Sequence, residues 1–201
     1  KEAGKEVIVI IELKARFDEE HNIEWSNRLE EAGCTLIFGV EHMKVHSKVC
    51  VAIEKDNHKT KLYTHIGTGN YNEQTARLYS DFHLITADQT IGQEALYFLQ
   101  SIQMGNIERL NQAFKSILVA PYSLKQQLLL DIQKEASSEG GHIILKMNSL
   151  TDKDIIDALY AASQAGVKID LIIRGICCLV PGQKGLSENI QVISVIGRYL
   201  E

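Results

Sequence analysis

His46 and Lys48 stand two positions apart in the run MKVHSKVCVAI, residues 43–53. Alternation along an extended chain points residues i and i+2 to one side. An imidazole and an ammonium therefore share a face, between Val45, Val49 and Val51, in a run that reads as a buried strand. A neutral imidazole can act as a nucleophile toward phosphorus, and a lysine beside it can stabilise charge developing on phosphoryl oxygens. The bland alternative is a strand-end histidine bonded to backbone beside a snorkelling lysine. A second stretch, GTGNYN at 67–72, reads as a turn between a strand and a helix. Backbone N–H groups at such a turn suit a phosphate, although a plain helix cap with turn glycines has the same composition. Third, Arg174 closes the apolar run IDLIIR. A guanidinium at the end of a buried strand needs an anionic partner or a cleft, and strand C-terminal ends are where open α/β sheets bind ligands.

The elements that must position these groups follow from periodicity. EVIVIIEL (6–13) is a continuous apolar, β-branched run that reads as a strand buried on both faces. DEEHNIEWSNRLEEAG (18–33) has acids in its first turn, Ile23, Trp25, Leu29 and Ala32 near helical spacing, and Gly33 at the C-terminal cap. CTLIFGV (34–40) is the next strand. Strand, helix, strand with short joints predicts a βαβ unit and a parallel sheet. KVHSKVCVAIE and KLYTHIGTG flank the polar tip KDNHKT and form a hairpin, with helices expected over 72–79 and 88–103. No element is assigned with assurance between 104 and 141. HIILKMNSL (142–150), TDKDIIDALYAASQAG (151–166) and VKIDLIIRG (167–175) then repeat strand, helix ending in Ala-Gly, strand, so a duplicated α/β unit is the economical reading.

The chain has 201 residues, a net charge of −5 and 45% hydrophobic residues. That is a globular composition without the basic surface that non-specific nucleic-acid binding requires, so no nucleic-acid partner is expected. Cys34, Cys50, Cys177 and Cys178 form no C-x-x-C pair, and the vicinal pair at 177–178 reads as buried thiols in a reducing, cytoplasmic setting. No signal peptide and no apolar run of about 20 residues is present. The chain opens on Lys1 without Met and stops after GRYLE, which suggests a piece of a longer protein.

His-x-Lys on a strand followed by a Gly-Thr-x-Asn turn resembles the phospholipase-D-like arrangement. Its usual aspartate, however, falls on Ile53 here. The longer blocks ELKARFDEEHNIEWSNRLEEAG, KVHSKV, HIGTGNYNEQTARLYSDFHLITAD and KMNSLTDKDIIDALYAASQAGVKIDLIIRGICCLVPG are similar to the bacterial polyphosphate kinase family with two phospholipase-D-like domains. The resemblance covers nearly all of the chain and is weakest over 104–142. It implies an α/β fold of tandem phospholipase-D-like units with mostly parallel sheets. Residues 1–110 would be the later part of the first unit, and 111–201 the first part of a truncated second one. It implies reversible transfer of phosphate from ATP to polyphosphate through phosphorylated His46, assisted by Lys48. Tyr79 and Arg174 match the family's ATP-contacting positions, Asn70 would meet phosphate, and Arg16 matches a magnesium-site position. Because guanidinium has no lone pair to give a cation, Arg16 would act through phosphate oxygens that also bind Mg²⁺. The resemblance also implies a homo-oligomer, peripheral membrane association of some members, and an isolated segment that is inactive alone. The alternatives are a phosphodiesterase or nuclease using His46, and a non-catalytic polyanion-binding module.

Overall fold

The structure is a computed structural model that describes residues 1–12, 19–40, 43–56, 59–111 and 114–196 (for 19 and 21, backbone only). It divides into two compact units. One comprises Lys1–Ile66 with Ile85–Gln112, and the other Gly67–Leu84 with Ala113–Glu201.

In the first unit β1 (Ile8–Ile10) and β2 (Thr35–Ile37) pair in parallel across α1 (Glu19–Glu31), the expected βαβ unit. The Ala-Gly ending of α1 works as anticipated. Gly33 takes φ +80°, its N–H donates to Glu30 O, and the Cys34 N–H donates to Leu29 O. These two bonds are the Schellman pair that satisfies carbonyls left over at a helix end. The buried faces differ from expectation. β1 is short and only half-buried, and Ile23 and Trp25 are exposed on α1 while Ser26 is buried. Arg28 covers the Trp25 ring instead, at 4.4 Å.

The second sheet of this unit has the order β3 (Lys48–Asp56), β4 (Lys59–Gly67), β5 (His83–Thr86). The two residues joining β3 to β4 permit only antiparallel pairing. β4 thus returns the chain to the end of the sheet from which β3 set out. The run at 43–53 is not a continuous buried strand: residues 44–47 are irregular, and most of β3 is exposed. Asp88 caps α3 (Gln89–Gln103) by accepting from Thr90 N and Ile91 N. α3 lies close on β4 at Gly92, where a Cβ would stand 2.6 Å from Leu62 Cβ.

The second unit holds a parallel sheet of order β6 (His142–Met147), β7 (Lys168–Ile173), β8 (Ile190–Ile193). α5 (Lys153–Gln164) is capped by Asp152 and closed by Gly166 at φ +93°, whose N–H donates to Ser163 O while Val167 N–H donates to Ala162 O. The second Ala-Gly therefore terminates its helix as the first does. α4 (Leu124–Ala136), for which the sequence reading had no assignment, packs Ile132 with Leu128 and Leu129 into the same core. Ile143, Ile169, Leu171, Ile173 and Ile190 project from one face of the sheet to meet Ile155, Ile156 and Leu159. Each such buried side chain contributes about 1.5–3 kcal/mol. The other face carries the alternate residues, among them Ile144 and Lys146, both exposed. Cys177 is half-buried and Cys178 exposed, contrary to the buried pair expected from their apolar neighbours.

Candidate active site

His46 sits in the irregular segment that enters β3, and Lys48 is the first residue of that strand. The two side chains meet, as alternation predicts, although the strand starts later than expected. The Lys48 ammonium stands 3.2 Å from His46 Nδ1 and 3.3 Å from Nε2, and donates to the His46 carbonyl oxygen at 2.6 Å. The nearly equal ring distances place the cation against the imidazole as a whole and choose neither tautomer. Lys48 is buried, at 8% exposure, whereas His46 is an exposed residue. The imidazole pKa is nonetheless lowered from its ordinary 6.5, first by partial desolvation of the ring, then by Lys48 and by Lys44. All three disfavour the imidazolium. The outcome is a ring that is neutral at neutral pH, reachable from solvent, and set against a buried ammonium.

The glycine turn lies in the other unit and departs from expectation. α2 is a single helical turn, Glu73–Ala76, and not a helix over 72–79. Asn72 Oδ1 already accepts from Gln74 N and Thr75 N at 3.0 Å each, and Asn72 N–H donates to Asn70 O. The donors of this helix start are therefore spent on its own cap. What the turn does instead is anchor the chain that follows. Thr68 N–H donates to Phe82 O at 3.0 Å, Thr68 Oγ1 accepts from Phe82 N at 3.0 Å, and the same hydroxyl donates to Asp81 Oδ1 at 2.9 Å. Gly69 is required because a Cβ there would fall 2.2 Å from Asp81 Oδ2. Asn70 is exposed.

The anchored segment carries Tyr79, and here the structure brings two sequence candidates together. Arg174, just past the end of β7, lies over the Tyr79 ring with Cζ 5.0 Å from its centroid. Both residues are half-buried, and among the described residues Arg174 has no carboxylate partner. The expected anionic partner is thus replaced by an aromatic face, which holds a guanidinium without consuming its N–H donors. Gly175 explains how the strand end is kept in place: its N–H donates to Asn148 O at 2.7 Å, and a Cβ there would stand 2.7 Å from that same oxygen. Lys146, on the neighbouring strand, donates to Ser80 O at 2.6 Å and lies 5.5 Å from the Phe82 ring. Sequence reasoning did not single it out. Period-two alternation sets it on the helix-free face of β6, but nothing local names a partner 66 residues earlier. Arg16 lies outside the described residues. Among the described residues no group of three or more His, Cys, Asp and Glu side chains could hold a metal ion.

The described contacts thus give two constellations, His46 with Lys48 in one unit and Tyr79 with Arg174 in the other. Family comparison covers both. Residues 1–109 match the model for polyphosphate kinase C-terminal domain 1, and residues 117–201 match that for C-terminal domain 2. The chain belongs to the polyphosphate kinase family. Among its relatives, the polyphosphate kinases of Staphylococcus saprophyticus and Bacillus cereus are each 48% identical over the whole of this chain. The crystal structure of polyphosphate kinase from Porphyromonas gingivalis superposes with a TM-score of 0.80 at 40% identity, covering 99% of this chain and 33% of that one. The α/β architecture with parallel sheets is therefore that of a solved polyphosphate kinase. The chain spans about 28% of the length of the Staphylococcus saprophyticus relative.

Proposed function

We propose that the full-length protein transfers the γ-phosphoryl group of ATP to inorganic polyphosphate, reversibly, with His46 as the relay. The observation that carries this reading is the neutral, accessible imidazole of His46 set against a buried ammonium. A neutral ring nitrogen attacks the γ-phosphorus, the new N–P bond forms as the bond to the β–γ bridging oxygen breaks, and ADP leaves with that electron pair. A terminal phosphate oxygen of polyphosphate then attacks the phosphohistidine, and the imidazole recovers its lone pair. Each cycle ends with free enzyme, which suits a product of no fixed length.

Lys48 would meet the phosphoryl oxygens as charge develops on them, moving from the ring to the incoming phosphate. Tyr79 and Arg174 would receive the nucleotide, with Asn70 and Arg16 contributing donors to phosphate. With no protein cage for a cation among the described residues, Mg²⁺ would enter as the counterion of ATP and be held mainly by the nucleotide's phosphates, as this ion commonly is. Residues 1–110 and 111–201 would be parts of two phospholipase-D-like catalytic domains. A phosphodiesterase reading is disfavoured because Ile53, exposed on β3, occupies the place of its aspartate.

The test is phosphoenzyme formation. The full-length protein, incubated with γ-phosphate-labelled ATP and Mg²⁺ and quenched in alkali, should keep alkali-stable, acid-labile label, and His46→Ala should abolish it. Equal labelling of both would move the nucleophile elsewhere. Labelling of neither would overturn the kinase reading.

A further inference from the structure

Residues 77–82, between α2 and β5, contain no helix or extended strand, only an isolated β-bridge at Tyr79 itself. Its own N–H donates to Thr75 O at 3.1 Å, and Asp81 and Phe82 are tied to Thr68. Between these two anchors lies the Ser80 peptide, whose carbonyl oxygen accepts the 2.6 Å bond from Lys146 Nζ. That carbonyl belongs to the Ser80–Asp81 peptide, one residue beyond Tyr79, so holding it restrains the path of the chain as it leaves the tyrosine. Lys146 also lies against the Phe82 ring at 5.5 Å, which restrains its swing. The lysine stands on β6, paired in parallel with β7, whose end leads into Arg174, with Lys146 opposite Ile172. Two cations, one on β6 and one just past the end of β7, thus hold successive residues of one segment: Arg174 the ring of Tyr79, Lys146 the carbonyl of Ser80.

We propose that Lys146 is a positioning residue for nucleotide binding, clamping the Ser80 carbonyl so that Tyr79 is presented to Arg174 and to the base or ribose of the substrate. This deepens the reading of Tyr79 and Arg174 as the nucleotide side of the site and rests on it. Lys146 is exposed and contributes nothing to the core. Its removal should loosen this segment without unfolding the protein.

In the full-length protein, Lys146→Met should raise the KM for ATP roughly five- to tenfold with kcat at saturation within about twofold, while Lys146→Arg, which can still donate to the carbonyl, stays near wild type. Because the lysine acts through the tyrosine, adding Lys146→Met to Tyr79→Ala should raise KM little further. Hydrogen exchange provides a readout independent of activity: the amides of 79–82 should exchange faster in Lys146→Met and not in Lys146→Arg, with the core of β6 and β7 unaffected. An unchanged KM in Lys146→Met, a fall in kcat alone, or full additivity with Tyr79→Ala would overturn the proposal. If wild type makes no polyphosphate, the kinase reading fails by itself, and the exchange experiment still decides the clamp: faster exchange supports it and unchanged exchange overturns it.

Discussion

Gly175→Ala tests the argument about the strand end that carries Arg174. The glycine has no unusual φ, so alanine meets no backbone penalty there. The whole effect is steric. The new Cβ would stand 2.7 Å from Asn148 O, 2.9 Å from Ser149 Oγ and 3.2 Å from Asn148 Oδ1. Ordinary contact begins near 3.4 Å, so the backbone oxygen and the Cβ must separate by 3.4 − 2.7 = 0.7 Å. The oxygen belongs to the chain leaving β6 and cannot rotate away as a side chain could. It also accepts the 2.7 Å bond from Gly175 N–H, which the same movement stretches. Overpacking of this kind costs about 1–3 kcal/mol. At about 2 kcal/mol the melting temperature of a chain of this size should fall by about 4–8 °C in calorimetry. Arg174, displaced with the strand end, should lose its stacking on Tyr79, and the full-length protein should show a raised KM for ATP. Ser149→Ala in the same chain relieves the contact with the hydroxyl but not that with the backbone oxygen, so it should restore only part of the loss. Full restoration by Ser149→Ala, or a Gly175→Ala protein as stable as wild type, would refute the reasoning.

Lys48→Met should raise the pKa of His46 toward its ordinary 6.5, incompletely, since desolvation is the larger cause of the lowering and remains. Because the folded pKa is depressed, the stability associated with neutral His46 is present above pH 6.5 and lost as pH falls through the folded value. The variant should narrow that window, and an imidazole titration by NMR that is unmoved or moves downward would contradict this. Gly92→Ala should destabilise by up to about 2 kcal/mol in urea unfolding, because overpacking against Leu62 Cβ at 2.6 Å exceeds the gain of about 1 kcal/mol that alanine brings to a helix interior. A stabilised variant would show that α3 can lift off β4 freely.

Local chemistry made much of the fold legible. Acids before an apolar stripe, an Ala-Gly stop and a β-branched run are short-range signals, and they located α1, α5 and the strands around them to within a few residues. The identical Schellman endings at Gly33 and Gly166 explain why the internal repeat was visible: both positions need a left-handed residue, and glycine supplies it. His46 and Lys48 were legible for the same reason, since two residues apart is a local relation that extended backbone converts directly into contact.

Other features are set by pairings distant in sequence, and these were misjudged or missed. α2 shrinks to one turn because Thr68 and Lys146 draw residues 80–82 away from the helical path. β5 forms because β4 offers it an edge. Ile23 and Trp25 have helical spacing but stay exposed among the described residues, so spacing alone mistook an exposed side for a core. The sequence by itself therefore determined the family, the repeat and the pairing of His46 with Lys48. Tertiary structure alone decided that Arg174 rests on Tyr79, that Lys146 holds Ser80, and that Gly175 and Gly92 must be glycines. Each of those depends on the distance of approach between segments tens of residues apart, and side-chain period carries no information about that distance.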